Sequence, residues 1–177
     1  MVHSIRSLPQ FLEHFPVVAK VFVHWGEMDS FRHVNNVNYF KYMETGRLLH
    51  FKAMLDSLAE SDKKYGEDFV NGRGIGLIIS ETSIRYKYPV KFPETILIGA
   101  AINPTESTEG KFIQRYSIWG IGPKRVVAEG QATILAYDYD NNRKATHLPP
   151  CIADSFAKLH TKNSLHMLPD LTHEFKL

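Results

Sequence analysis

The chain has 177 residues, enough to bury a core without staples. Hydrophobic residues make up 44% and charged residues 23%, and a formal net charge of +2 leaves no electrostatic footprint for a nucleic acid or other polyanion. The lone cysteine, Cys151, excludes an internal disulfide and a cysteine-based metal site.

Residues 1–16 read as a lead-in arm, with one turn of helix around Leu8–His14. The arm lacks the long apolar run of a secretory signal. No stretch in the chain approaches the roughly 20 apolar residues that cross a bilayer. A cytoplasmic protein is the expectation, with organelle import left open. Val17–Trp25 alternates β-branched and aromatic residues on both faces and predicts a strand covered on each side. Gly26–Asn36 is polar and reads as a loop, with Asn35 or Asn36 as N-cap of the next element. From Asn38 the period changes. Phe40, Met43, Arg47, Leu48, Phe51, Met54, Leu55 and Leu58 trace one helical face that stops near Glu60. At about 1.5 Å per residue, some 20 residues give a helix about 30 Å long.

Ser61–Gly76 predicts a loop with a helical turn around Gly66–Phe69. Four strands come next: Leu77–Tyr88, Glu94–Asn103, Lys111–Gly120 and Arg125–Asp138. Pro89 and Pro93, Pro104, Glu109–Gly110 and Gly122–Pro123 separate them with turn chemistry. Asp138–Arg143 is a further turn. Leu148–Pro150 opens a short helix over Cys151–Leu159, and a tail begins at Lys162. Cys151, entering that helix with no histidine–carboxylate pattern around it, reads as inert. The order of strand, long helix and four strands implies one α+β domain over 1–177, its core about 17–145, with a curved sheet around the helix. Edge strands left bare invite a second copy of the chain.

The segment Val23–Arg47, VHWGEMDSFRHVNNVNYFKYMETGR, concentrates chemistry at the start of the long helix. Asp29, His33, Asn35 and Asn36 precede that start, and Tyr39, Glu44 and Arg47 lie beyond it. A helix start offers unpaired backbone N–H groups and a positive dipole end, which can polarise a carbonyl. A carboxylate beside such donors is the minimum set for attack on a thioester, as nucleophile or as general base on water. The plain alternative is that Asp and Asn simply cap the helix and that Glu44 and Arg47, at i and i+3, form an ordinary ion pair.

The run from Trp25 through Glu27, Asp29, His33-Val34-Asn35-Asn36, Tyr39 and Glu44 to Arg47 resembles the signature of the 4-hydroxybenzoyl-CoA thioesterase-like branch of the hotdog superfamily. SIRYKYPVKFPET and RVVAEGQATILAYD resemble that family's central and last long strands, so the resemblance spans roughly 17–145. It implies a hotdog fold, an antiparallel sheet of about five strands wrapped around one long helix, and hydrolysis of an acyl-CoA. Asp29 stands where the family's catalytic aspartate stands, with His33 as a helper. Asn35, Asn36, Val37 and Asn38 would hold the thioester carbonyl, and Tyr39 and Glu44 would contact substrate. The resemblance also implies a site shared between two subunits, with Tyr39, Phe40 and Met43 lining an acyl tunnel, in a homodimer or homotetramer. Arg85 and Lys91, with Lys87, Lys124 and Arg125 as further candidates, would meet the phosphates of coenzyme A. No metal or organic cofactor is expected beyond the coenzyme A of the substrate. Two departures stand out. Phe31 occupies an asparagine position of related acyl-carrier-protein thioesterases, and Glu27 replaces a common aspartate. Two other readings share the fold: a non-catalytic module binding an acyl group or a partner protein, and an enoyl-CoA hydratase or dehydratase using His33.

Overall fold

The computed structural model describes residues 5–103, 105–161 and 166–167. The first four residues of the arm, the Pro104 turn position and most of the tail from Lys162 lie outside them.

The arm forms α1 (Leu8–His14), opened by Ser7, whose Oγ accepts the Gln10 N–H at 3.4 Å. Strand β1 spans Val17–Phe22. It is shorter than expected, because Trp25–Glu27 turn into one 3-10 turn: the Glu27 carboxylate reaches back to the His24 N–H at 2.7 Å and ends the extended run. The dominant helix, α2, spans Asn38–Asp56 and stops short of Glu60. The predicted loop after it contains α3 (Lys63–Val70), two turns rather than one. Then come β2 (Ile75–Tyr86), β3 (Thr95–Ile102), β4 (Lys111–Gly120) and β5 (Arg125–Asp138). Two-residue strands β6 (Arg143–Lys144) and β7 (His166–Met167) flank α4 (Pro150–Thr161).

The strands form one 7-stranded sheet in the order β2-β5-β4-β3-β1-β7, with β6 on β5. Its five long strands are antiparallel throughout, and only β7 runs parallel to its neighbour. The curled sheet holds α2 against its inner face, so the expected α+β arrangement is present. Strand β2 closes one end of the order, its outer edge unpaired among the described residues.

The buried face of α2 coincides only in part with the one that its large apolar residues trace. Tyr39, Tyr42, Met43, Gly46, Leu49, His50 and Met54 point inward, whereas Phe40 is 43% and Leu48 48% exposed. The reason is close approach: a Cβ on Gly46 would stand 2.7 Å from Ile98 Cγ2, so the helix turns its smallest residue to β3. Met43, Met54 and Leu58 are buried as the periodicity implies. The outer face of the sheet is covered by α1, which sets Phe11 and Phe15 on Val18, Leu97 and Trp119. Gly99 makes room there, since a Cβ would lie 2.2 Å from the Phe15 ring. Val17 and Ala19 face the inner cluster and Val18 the outer, so β1 is covered on both sides as expected. Helix α4 closes one end of the core by packing Phe156 on His50 and Phe51. Cys151 sits at its start, half-buried, and burial pushes its thiol up.

Candidate functional site

The loop between β1 and α2 is a folded hairpin. Met28 and Val34 form an antiparallel bridge, and Arg32 takes the positive φ of 66° at the turn. The Asp29 N–H donates to the His33 carbonyl at 3.0 Å, and the Arg32 N–H to the Asp29 carbonyl at 3.1 Å. Asp29 Oδ1 accepts the Phe31 N–H at 2.8 Å, an Asx turn that fixes the carboxylate over its own backbone. Asp29 Oδ2 lies 3.6 Å from His33 Nδ1. The His33 ring stacks on Phe31 at 6.4 Å between centroids, and Phe31 itself is 79% exposed. The aromatic side chain in the asparagine slot therefore stands at the rim of the site.

Asn35 caps α2 with its side chain: Oδ1 accepts the Val37 N–H at 3.2 Å, and its carbonyl accepts the Asn38 N–H at 3.0 Å. The Asn36 carbonyl takes the Tyr39 N–H at 3.3 Å. The Asn36 N–H has no acceptor among the described residues. The expected donor set of Asn36, Val37 and Asn38 thus narrows to one free backbone N–H, because Asn35 has already satisfied the other two.

Tyr39 and Tyr42 lie beneath this start. Burial pushes the Tyr39 hydroxyl up to about 12, opposed by a hydrogen bond from the Val90 backbone. Its ring meets Tyr86 edge-on at 5.1 Å, and the Tyr86 hydroxyl donates to the Asn36 carbonyl at 3.3 Å. Burial also holds Tyr42 well above the usual phenol range, and a hydrogen bond and negative charge from Glu27 add to it. Tyr42 therefore stays protonated, and its hydroxyl donates a hydrogen bond to Glu27 Oε2 at 2.8 Å.

Asp29, His33, Asn35, Asn36, Val37 and Asn38 share one loop and helix start. The backbone on either side of Lys91 reaches this loop. The flanking Val90 carbonyl accepts the Val34 N–H at 2.8 Å, and the Phe92 N–H points to Met28 Sδ at 3.3 Å. Arg85 does not join them: it neighbours Tyr86 on β2, and strand alternation sends it to the opposite face. Glu44 also stands apart, exposed on α2 and paired with Arg47 at 3.2 Å. Of the proposed tunnel residues, Tyr39 and Met43 are buried and Phe40 is exposed. Sequence reasoning missed Tyr42 and Tyr86, whose contacts cross between elements. It read Glu27 within the motif and as a departure from it, but not its bond to the His24 N–H. Among the described residues no group of three or more His, Cys, Asp or Glu side chains could hold a metal ion, and no helix is long and apolar enough to cross a membrane.

A family model described as the thioesterase-like superfamily matches residues 23–156. No curated protein matches the chain. Among solved structures, the chain is similar to a 1,4-dihydroxy-2-naphthoyl-CoA thioesterase from Synechocystis, at 14% identity and TM-score 0.66, over 82% of this chain and 98% of that one. It is similar to a DHNA-CoA thioesterase from Staphylococcus aureus, at 14% identity and TM-score 0.64, over 81% and 91%. A thioesterase from Thermus thermophilus, complexed with coenzyme A and zinc, is similar at 18% identity and TM-score 0.63, over 84% and 96%. At these identities the likeness shows the fold.

Proposed function

We propose that this chain, which belongs to the thioesterase-like superfamily, hydrolyses an acyl-CoA to the free acid and coenzyme A, with Asp29 as the reacting carboxylate. The observation that carries the reading is the loop itself. Asp29 is held by the Phe31 N–H in the same hairpin that delivers the unpaired Asn36 N–H at the start of α2. In the reaction, Asp29 either takes a proton from water as the water oxygen attacks the carbonyl carbon or attacks that carbon itself. The oxyanion that forms is met by the Asn36 N–H and the positive end of α2. Collapse breaks the C–S bond; in the first route the thiolate leaves with the proton that Asp29 took from water, and in the second it takes a proton from solvent and a water then hydrolyses the acyl–Asp29 anhydride to the free acid. His33 helps as a second polar group beside Asp29, and Lys91, exposed between β2 and β3, meets a phosphate of coenzyme A. A hotdog neighbour in complex with coenzyme A supports this substrate class. The exposed Ile78 and Ile79 and the open edge of β2 suit pairing with a second copy, in a homodimer or a homotetramer built from it.

The test is thiol release from a panel of aryl- and alkyl-acyl-CoAs by the full chain. Turnover of at least one is expected. Complete inertness of the folded protein across the panel would overturn the reading in favour of a binding module.

A further inference from the structure

Glu27 makes four contacts that tie both flanks of the Asp29 hairpin to one helix. Its Oε2 accepts the His24 N–H at 2.7 Å, before the hairpin, and the Tyr42 hydroxyl at 2.8 Å, from the second turn of α2. Its carbonyl accepts the Asn35 N–H at 2.9 Å, after the hairpin, and Asn38 Nδ2 at 3.0 Å, from the first turn of α2. Tyr42 and Asn38 are 3% and 6% exposed, so the anchors on the helix side are buried and cannot easily swing away. Asp29 lies two residues beyond Glu27, and the free Asn36 N–H lies one residue beyond Asn35. The two carbonyl contacts are backbone bonds that any residue here would make; the Glu27 side chain adds the link from the His24 N–H to Tyr42, and through it the hairpin is held against α2.

We propose that Glu27 is a positioning residue: its carboxylate, anchored on Tyr42, locks the Asp29 hairpin against the start of α2. The proposal rests on the thioesterase reading for its effect on rate, but its structural half stands without it. An aspartate at this position is one methylene shorter. Glutamate spans from the 3-10 turn to a tyrosine on the second turn of the helix, and Tyr42 stays protonated to meet it. Misplacement of a reacting group by about 1 Å can lower rate a hundredfold while leaving the rest of the substrate contacts in place. The loss should therefore fall on kcat.

The experiment compares wild type with Glu27→Ala, Glu27→Gln and Tyr42→Phe, using the acyl-CoA that wild type hydrolyses fastest and thermal melts alongside. Glu27→Ala is expected to lower kcat by about 10- to 100-fold with KM changed less than about threefold. Glu27→Gln, which keeps an acceptor oxygen, should recover most of the loss. Tyr42→Phe should fall in the same direction, and the Glu27→Ala/Tyr42→Phe pair should be no worse than Glu27→Ala alone. Folded Glu27→Ala with wild-type kcat, or a Gln variant no better than Ala, would overturn the proposal. Amide hydrogen exchange reads the clamp without substrate. Exchange across residues 24–36 should quicken at least tenfold in Glu27→Ala while β4 is unchanged, and equal exchange would overturn it. A wild type that hydrolyses nothing would count against the function proposed above, and the exchange result would still decide the clamp.

Discussion

His33 Nδ1 stands 3.6 Å from Asp29 Oδ2, beyond hydrogen-bond length, with the His33 side chain 40% and the Asp29 side chain 18% exposed. The histidine is therefore beside the carboxylate without orienting it, while the Phe31 N–H does the holding. His33→Ala is expected to lower kcat by less than about tenfold, well below the effect of a lost base. Combined with Asp29→Asn, it should add no further loss, because both act on one group. Steady-state kinetics of the two single variants and the double variant check this. A His33→Ala loss as large as that of Asp29→Asn would make the histidine an equal partner.

A polar line runs through the core behind α2. Gln114 Nε2 meets His50 Nδ1 at 2.8 Å, the Tyr116 hydroxyl donates to Gln114 Oε1 at 2.7 Å, and the Arg47 charge lowers the Tyr116 hydroxyl against the rise from burial. His50 and Gln114 are fully buried. Tyr116→Phe deletes one hydroxyl and strips the buried Gln114 oxygen of its donor, at a cost of about 1–3 kcal/mol. Urea titration measures it directly. A change under about 0.5 kcal/mol would mean that the line relaxes around the gap.

Alkaline stability depends on the buried tyrosines. Burial raises Tyr39 and Tyr116 from 10.0 to about 12 in the folded chain. Unfolded tyrosines lose their protons near pH 10, so above that pH the unfolded state binds fewer protons and stability falls as pH rises towards 12. Phenolate absorbance recorded together with far-ultraviolet circular dichroism tests this. The late phenolate signal should appear with the loss of structure. Full ionisation near pH 10 with the fold intact would contradict it.

Gly46→Ala sets two effects against each other. Alanine favours a helix interior by about 1 kcal/mol over glycine. The new Cβ would meet Ile98 Cγ2 at 2.7 Å, against a residue that is fully buried and has nowhere to go, and such overpacking costs about 1–3 kcal/mol. The variant is expected to be less stable by roughly 1 kcal/mol in a thermal melt, by the balance of those terms. A stabilised variant would show that β3 yields.

Much of this architecture is written locally. Strands β4 and β5 coincide with their predicted bounds because Gly110 and the Gly122–Pro123 turn punctuate an alternating pattern. The buried face of α2 was less legible, since it depends on which residue the sheet can approach. Gly46 and His50 carry that face, and counting large apolar side chains selects the exposed Phe40 and Leu48 instead. The loop motif around Asp29 and His33 was readable as a string of residue types. The narrowing of the donors to Asn36 was not, because it turns on which acceptors Asn35 occupies. Nor was the role of Glu27, whose partners Tyr42 and Asn38 sit on another element at no fixed period.

The most direct measurement is the rate of thiol release by Asp29→Asn beside wild type, on the acyl-CoA that wild type turns over fastest. Asparagine keeps the size and the acceptor for the Phe31 N–H but removes the charge. A folded variant slower by about two orders of magnitude or more, the scale of losing a positioned base, is the expected result. A variant that hydrolyses at the wild-type rate would contradict the assignment of Asp29 as the reacting carboxylate.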